Sequence, residues 1–441
     1  MKELIILWIL LGVLAFLILV VGAWLCSMRR NMPWQNCLAI LGNLKISLPR
    51  FLRDYALTGA RDYSTLPDPL VMADGTAVTT SERFEARRKE ILSLFERYVY
   101  GPLPREGFDT SFEVVEQGDA LDGSALRRQV RITVTTEKGS SDAMMLLYIP
   151  KQERPAPVVM GLNFRGNPTV LEDGAILPSC GASGGKREEK RGSCASRWSI
   201  ADCVSRGYAV ATACSADFAP DRKEDYRSRV IGLFDEPEFK AVGAWAFGIS
   251  RMADYLMTDP AIDGSRMAVV GHSRLGKAAL WAGAGDARLG LVISNDSGNT
   301  GASLSRGNHG ETVYSINKAF PHWFCSGYAR YGKNENALPV DQNLLLAAIA
   351  PRRLYVASAE DDLWADPQGA FNSLKSAKAA FALYHDSVLP DEMETYPPVG
   401  EVFHCESMGV HIRRGGHDIT PEDWKHYLDY MDRYVGREET P

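Results

Sequence analysis

The stretch RMAVVGHSRLGKAA, residues 266–279, changes from strand to helix character within a few residues. Its apolar run at 267–270 predicts a short buried strand, and residues 277–281 predict a helix packed on its apolar side. Gly271, His272 and Ser273 lie at the turn between them. Such a turn exposes the Ser273 hydroxyl at the end of a strand. It also places the N-terminus of the helix opposite that hydroxyl, which favours developing negative charge.

Ser273 has two interpretations. A serine at a sharp strand-to-helix turn is the nucleophile elbow of α/β-hydrolases, whose usual signature is G-x-S-x-G. Here Gly271 matches the first glycine, but Leu275 occupies the place of the second, and Gly276 follows one residue later. The alternative is an ordinary turn in which the serine caps the helix. The motif alone does not decide between a nucleophile and a cap.

The composition is that of a globular protein. The chain has 441 residues, 45% hydrophobic and 24% charged, enough for one large α/β domain or two smaller ones. Its formal net charge of -6 argues against nucleic acid as a partner. None of the 8 cysteines forms a C-x-x-C pair or completes a zinc pattern. Four of them lie between Cys180 and Cys214, where one or two local disulfides and buried free thiols are both open.

The N-terminus carries an almost unbroken apolar run at 5–26, about 22 residues, which is long enough to span a bilayer. The run is followed by a poor cleavage site, so an uncleaved anchor is favoured over a signal peptide. We expect an anchor or signal at 1–30, a connector at 31–66 and a catalytic domain at 67–437. Arg29 and Arg30 follow the run, and this charge bias would keep the C-terminal side inside the cell.

The remaining chain alternates strands and helices. Residues 126–136 and 143–149 read as an antiparallel pair at the start of a sheet. Further strands are predicted at 157–163, 208–213, 267–270, 289–294, 353–358 and 410–412, and helices at 82–98, 241–257, 311–320, 344–350, 373–384 and 421–435. The predicted fold is therefore α/β: a three-layer α/β/α sandwich of the α/β-hydrolase type, with a mostly parallel central sheet and antiparallel N-terminal strands.

Polar residues follow the strands in the order that a catalytic triad requires. In α/β-hydrolases the order is nucleophile, acid and histidine. Ser273 comes first, Asp296 and Asp362 each follow a later strand, and His417 follows a Gly-Gly step after the last one. The neutral His417 imidazole would take the Ser273 proton while an aspartate holds its other nitrogen. His404 and His411 are rivals, but neither follows a glycine-rich step.

Several motifs in order now resemble the glucuronoyl esterases, carbohydrate esterase family fifteen. The elbow GHSRLGK is similar to the family's G-C-S-R-x-G-K, with His272 in place of the usual cysteine. The other matching pieces are GLNFRGN, ISNDSG, GET, FPHWF, SAEDDLWADP and RRGGHD. The resemblance extends from about residue 63 to the last helix. It implies an α/β-hydrolase that cleaves esters of 4-O-methyl-glucuronic acid, as in linkages between lignin and glucuronoxylan.

The resemblance also implies site roles. Ser273 would be the nucleophile and His417 the base, with Asp362 as main acid and Asp296 as an alternative or second acid. The Arg274 backbone N–H and guanidinium would stabilise the oxyanion; the alternative for this side chain is a salt bridge on the elbow helix. The residues expected to bind the sugar are Lys277, Glu311 and Trp364, although Trp364 could instead belong to the core.

Two other functions share part of this pattern. An acetyl-xylan or other carbohydrate esterase would use the same triad without needing the sugar-binding trio, and an inactive polysaccharide-binding relative would need neither. The expected partners are glucuronoxylan or lignin–carbohydrate ester fragments, with no nucleic acid, and a membrane through the N-terminal segment only. No motif indicates a metal or an organic cofactor. We expect a monomer, exported to the cell envelope or periplasm because wall polymers do not enter the cytosol.

Overall fold

The computed structural model describes residues 61–181, 190–390 and 396–436. The predicted anchor, and the predicted connector up to residue 60, lie outside the described residues. Within the described ranges, no helix is long and apolar enough to cross a bilayer. Ten strands form one sheet: β1 Asp109–Ala120, β2 Ala125–Thr136, β3 Gly139–Pro150, β4 Ala156–Asn163, β5 Ala209–Cys214, β6 Ile262–His272, β7 Leu289–Asn295, β8 Arg353–Ala359, β9 Val402–His404 and β10 Met408–Arg413.

The strand order is β1-β2-β3-β5-β4-β6-β7-β8-β10-β9. The first three strands pair antiparallel and join β5, also antiparallel. From β5 to β10 each neighbouring pair is parallel, and β9 closes the far edge antiparallel. This confirms the predicted mixed sheet. Because the carboxyl ends of parallel strands meet at one edge, the loops after β6, β7, β8 and β10 lie together there.

Helices cover both faces of the sheet. Among the described residues they are α1 Ser81–Phe95, α2 Ile200–Ser205, α3 Ser215–Phe218, α4 Ala241–Leu256, α5 Arg274–Gly285, α6 Val313–Ala319, α7 Gln342–Ala347, α8 Pro367–Phe381 and α9 Pro421–Tyr434. Alternate residues of β6 face opposite sides: Met267 and Val269 join the core under α4 and α5, whereas Ala268 and Val270 join the core under α2 and α9. Both cores are apolar, as the predicted three layers require.

Four details differ from the expectations or decide between them. Strand β1 was not predicted because it is an edge strand with most side chains at least partly exposed, so it lacks a hydrophobic alternation. Strand β9, also not predicted, has only three residues. Helix α8 begins at Pro367 rather than 373, with Asp366 capping it. The six cysteines in the described part of the chain, at 180, 194, 203, 214, 325 and 405, are free, so the local disulfides are absent there.

Arg61 joins the fold although it precedes the predicted domain boundary. Its guanidinium donates two hydrogen bonds to the Asp366 carboxylate, at 2.6 and 2.7 Å, and both side chains are almost fully buried. The hydroxyl of Tyr63 accepts a hydrogen bond from the Asn372 amide at 2.9 Å. Residues of the predicted connector therefore contact the start of α8.

Candidate active site

The backbone at Ser273 has the strained geometry of a nucleophile elbow. Its φ of 58° and ψ of -131° lie in a region that non-glycine residues rarely adopt. Ser273 is the N-cap of α5, and its own N–H donates to the Asn295 carbonyl at 2.9 Å. The hydroxyl is thereby held at the end of β6, in front of the helix N-terminus.

The second glycine of the elbow, Gly276, lies one residue later than in the usual signature, and this shift has a steric cause. A Cβ at Gly271 would lie 2.1 Å from the Leu275 carbonyl oxygen, so this position requires glycine. A Cβ at Gly276 would lie 2.8 Å from the Ser297 Cβ and 2.9 Å from the Gly271 oxygen. Leu275 is buried in the core between them. Helix α5 therefore approaches β6 and the loop after β7 at residue 276, which is where this chain carries its second glycine.

Three predicted residues form a hydrogen-bonded relay. The Ser273 Oγ lies 2.9 Å from His417 Nε2, and His417 Nδ1 lies 2.5 Å from Asp362 Oδ2. Asp362 is buried, whereas the His417 side chain is 45% exposed. Burial alone would lower the pKa of His417, but the hydrogen bond and the charge of Asp362 outweigh it and raise this pKa. The imidazole is therefore placed to accept a proton from Ser273.

Asp296 faces a different partner. Its Oδ1 accepts a hydrogen bond from the Ala359 N–H at 2.8 Å, and its Oδ2 lies 3.3 Å from Arg413 Nη2. Burial and the neighbouring Asp362 carboxylate raise the pKa of Asp296. Side-chain atoms of Asp296, Asp362 and His417 lie within 4.8 Å of one another, close enough for a metal. However, Asp362 and His417 already bond each other and Asp296 faces Arg413, which is the arrangement of a proton relay.

The Arg274 side chain, next to the nucleophile in the chain, packs against aromatic rings. Its guanidinium pairs with Asp221 and lies 5.0 Å from the ring centre of Trp323 and 5.5 Å from that of Phe320. The same Asp221 carboxylate accepts from His322 Nε2 at 2.9 Å and from Trp323 Nε1 at 2.6 Å. Burial would raise the pKa of Asp221, but the Arg274 charge and these hydrogen bonds lower it to about 2. The salt bridge expected as an alternative for Arg274 is thus present.

Lys277, Glu311 and Trp364 lie together. Lys277 Nζ donates to the Ser297 and Asn299 carbonyls at 2.6 and 2.5 Å and lies 3.7 Å from Glu311 Oε2. Burial lowers the pKa of Lys277 to about 8, although Glu311 opposes this. Burial likewise raises the pKa of Glu311. The Glu311 N–H donates to the Trp364 carbonyl at 2.8 Å, and Trp364 is only half-buried.

Some residues around the site were not identified from the sequence. Asp221 lies on an irregular loop several residues after β5, and no strand end or glycine step marks it. Asn295, whose carbonyl accepts from the Ser273 N–H, donates a side-chain hydrogen bond to Asp423 at 3.2 Å. The Thr420-Pro421-Glu422-Asp423 segment forms a capping box at the start of α9, a pattern visible in the sequence. That pattern explains the helix start but not the contact with Asn295.

The relay and the pocket beside it can be compared with known proteins. A family model described as "Glucuronyl esterase, fungi" matches residues 197–384. The chain is 39% identical over 390 residues to the carbohydrate esterase MZ0003 of an unknown prokaryotic organism, covering 84% of this chain and 90% of that one.

Two solved structures resemble it along most of their length. One is a promiscuous CE15 esterase from a marine bacterial metagenome, with 38% identity, a TM-score of 0.77, and coverage of 84% of this chain and 96% of that one. The other is the glucuronoyl esterase from Solibacter usitatus, with 37% identity, a TM-score of 0.78, and coverage of 84% and 98%. The chain belongs to carbohydrate esterase family fifteen, the family of the glucuronoyl esterases.

Proposed function

We propose that the chain is a serine esterase that hydrolyses esters of glucuronic acid and its 4-O-methyl ether, as in lignin–glucuronoxylan linkages. The observation that carries the proposal is the relay from Ser273 through His417 to Asp362, beside the buried Lys277–Glu311 pair. Family membership supports the same conclusion.

The relay supports a two-step mechanism. Ser273 Oγ attacks the ester carbonyl carbon of the uronic acid while His417 Nε2 takes the hydroxyl proton. The tetrahedral intermediate collapses, and His417 returns the proton to the departing alcohol, which leaves an acyl-enzyme. Water then repeats the attack, and Ser273 is released with free uronic acid. Throughout, Asp362 keeps the His417 Nδ1 proton in place, so that Nε2 remains the acceptor.

Arg274 suits the negative charge that develops on the carbonyl oxygen. Its backbone N–H opens α5 next to Ser273, and its guanidinium lies beside the elbow. A charged donor in a site sheltered by aromatic rings stabilises an oxyanion more strongly than a neutral one. We therefore assign Arg274 to the oxyanion, with Asp221 holding the guanidinium in place.

A uronic-acid substrate would account for the polar groups around Lys277. An ammonium and a carboxylate 3.7 Å apart offer a donor and an acceptor to neighbouring sugar hydroxyls, and the half-buried Trp364 offers an apolar face. A simple acetyl ester places no sugar hydroxyls on the acid side of the bond. In this proposal the trio therefore selects the acid part of the ester.

The experiment compares benzyl glucuronate with an acetylated xyloside, using the parent chain and Ser273→Ala. We expect kcat/KM to favour the glucuronate ester and Ser273→Ala to abolish turnover of both. A general carbohydrate esterase is the second candidate, because the chain is similar to an esterase described as promiscuous. Equal or higher kcat/KM on the acetyl ester would favour that candidate. Full ester turnover by Ser273→Ala would refute both, because a group other than Ser273 would then carry out the attack. No turnover of either ester by the parent chain would favour a binding protein.

We also propose that the domain works outside the cytosol. The apolar run at 5–26 can serve as an anchor, and the polymer that carries these esters lies outside the cell. Protease added to intact cells or spheroplasts should then digest the domain. Digestion only after lysis would place the domain inside the cell, as the Arg29-Arg30 charge bias predicts, and would contradict the proposal.

A further inference from the structure

His272, the residue before the nucleophile, is buried against the relay. Its ring centre lies 4.6 Å from that of His417, with the two planes inclined at 41°. On another side the Phe164 ring approaches it edge-on, at 6.2 Å. The His272 side chain is 7% exposed, so its contacts are internal. The mechanism proposed for the relay gives His272 no role.

Neighbouring hydrogen bonds fix which His272 nitrogen carries the proton. Asp423 accepts from Arg413 Nε at 2.8 Å and lies 2.9 Å from His411 Nε2. Burial would raise the pKa of Asp423, but His411 and Arg413 lower it, so this carboxylate is ionised and only accepts. The Asn295 group 3.2 Å from it must therefore be the NH₂.

The amide oxygen of Asn295 then faces His272. It lies 2.6 Å from His272 Nδ1, a distance that requires a donor on the ring. Nδ1 consequently carries the proton, and Nε2 keeps its lone pair. This tautomer follows from the orientation of Asn295, which the ionised Asp423 behind it determines.

The charges around His272 keep it neutral. Burial lowers the pKa of His272 well below its usual value, and the nearby charges of His417, Arg197 and Arg413 act in the same direction. The negative charge of Asp423 is separated from it by the Asn295 amide. When His417 takes the serine proton, its partner ring is thus uncharged. A neutral ring can contact the His417 imidazolium without charge repulsion.

We propose that His272 is a positioning residue for His417: a neutral imidazole, fixed as the Nδ1–H tautomer, that holds the catalytic ring at hydrogen-bond distance from Ser273. The inference rests on the proposed esterase function. Removing this support frees one face of a side chain that is otherwise 45% exposed. The loss should therefore appear in kcat, since the sugar-binding groups are unchanged.

The kinetic experiment uses His272→Ala, His272→Phe and a control, His404→Phe, on benzyl glucuronate. His404 belongs to β9 and has no ring contact with His417. We expect His272→Ala to lower kcat about tenfold to a hundredfold, with KM within about twofold, because small misplacements of a catalytic group are costly. His272→Phe, which restores a ring, should recover most of that loss, and the control should match the parent. A folded His272→Ala with parental kcat, or no recovery in His272→Phe, would overturn the proposal.

A spectroscopic experiment on the parent chain avoids the risk that a variant does not fold. In ¹⁵N NMR of histidine-labelled protein, His272 should show a protonated Nδ1 and an unprotonated Nε2, unchanged between about pH 5 and 8. The opposite tautomer, or titration in that range, would overturn the inference. If the parent chain fails to hydrolyse glucuronate esters, the proposed function fails instead, and the NMR result still reports the His272 tautomer.

Discussion

Substituting the two aspartates separately tests the assignment of the catalytic acid. Asp362→Asn keeps the shape of the side chain but places either an NH₂ group or a neutral oxygen against His417 Nδ1, now 2.5 Å from the carboxylate. If the NH₂ faces the ring, His417 must accept on Nδ1 and carry its proton on Nε2, where it can no longer take the Ser273 proton. A wrong tautomer in a serine triad lowers kcat about ten-thousandfold.

The structure allows the size of this effect to be bounded. Asp296 could replace Asp362 only by leaving the Ala359 N–H and Arg413, at 2.8 and 3.3 Å. Leaving a buried Arg413 charge without one of its carboxylates is costly. We therefore expect kcat to fall about a thousandfold to ten-thousandfold in Asp362→Asn, which is about 4–5.5 kcal/mol of transition-state stabilisation. Asp296→Asn should lower kcat less than about tenfold, since its hydrogen bonds go to Ala359 and Arg413 and not to His417.

The assay is kcat on benzyl glucuronate at a pH where His417 is neutral, with the unfolding temperature of each variant measured as a folding control. If the unfolding temperatures are comparable, the difference in kcat comes from the catalytic chemistry and not from misfolding. Full activity in Asp362→Asn together with a large loss in Asp296→Asn would show that Asp296 is the main acid, and the relay assigned above would be wrong.

Asp221→Asn should lower kcat about tenfold in the parent chain but less than about twofold in an Arg274→Ala background, because Asp221 acts by holding the Arg274 guanidinium. Independent, additive losses of the two substitutions in a double-mutant cycle would contradict this. KM for the glucuronate ester should rise as pH increases through about 8, where Lys277 loses its charge, and Lys277→Met should remove that rise; a rise that persists in Lys277→Met would exclude this lysine as its cause. On the acid side, kcat/KM should fall as pH drops through the raised pKa of His417, because the protonated ring cannot accept the serine proton; a flat acid limb would contradict its role as base. Gly276→Ala should cost about 1–3 kcal/mol in denaturant unfolding through overpacking, whereas Gly285→Ala, with open space at its Cβ, serves as the control; equal stabilities would refute the steric explanation.

The sequence identified the residues that follow strands, because the parallel arrangement itself brings strand ends together. Ser273 and His417 could be predicted in this way, with the fold class. The choice between Asp296 and Asp362 could be made only as a preference, since β7 and β8 are neighbours and both aspartates reach the same edge. Which aspartate bonds His417 depends on the direction of each side chain. For Asp296 this direction depends on a left-handed backbone with φ of 44°.

Other features depend on contacts that no local pattern encodes. Asp221 meets Arg274 through the path of an irregular loop, and the two are 53 positions apart. Helix α8 begins six residues earlier than its periodicity indicates because the Asp366 carboxylate accepts from the Gly369 N–H. Strand β1 is formed by pairing with β2 and not by its own burial.

The contact between Arg61 and Asp366 has a consequence for where the chain enters the domain. Asp366 closes the same loop that carries Asp362 and Trp364, and the Ser303 hydroxyl also bonds the carbonyls at 365 and 366. The residue that leads into the fold is therefore attached at the rim of the catalytic cleft and not at the opposite edge of the sheet. A chain shortened to begin at residue 67 would leave a buried carboxylate without its cation, a change that usually costs about 3–5 kcal/mol. Residues 61–63 are thus structural neighbours of the loop that supplies the catalytic acid.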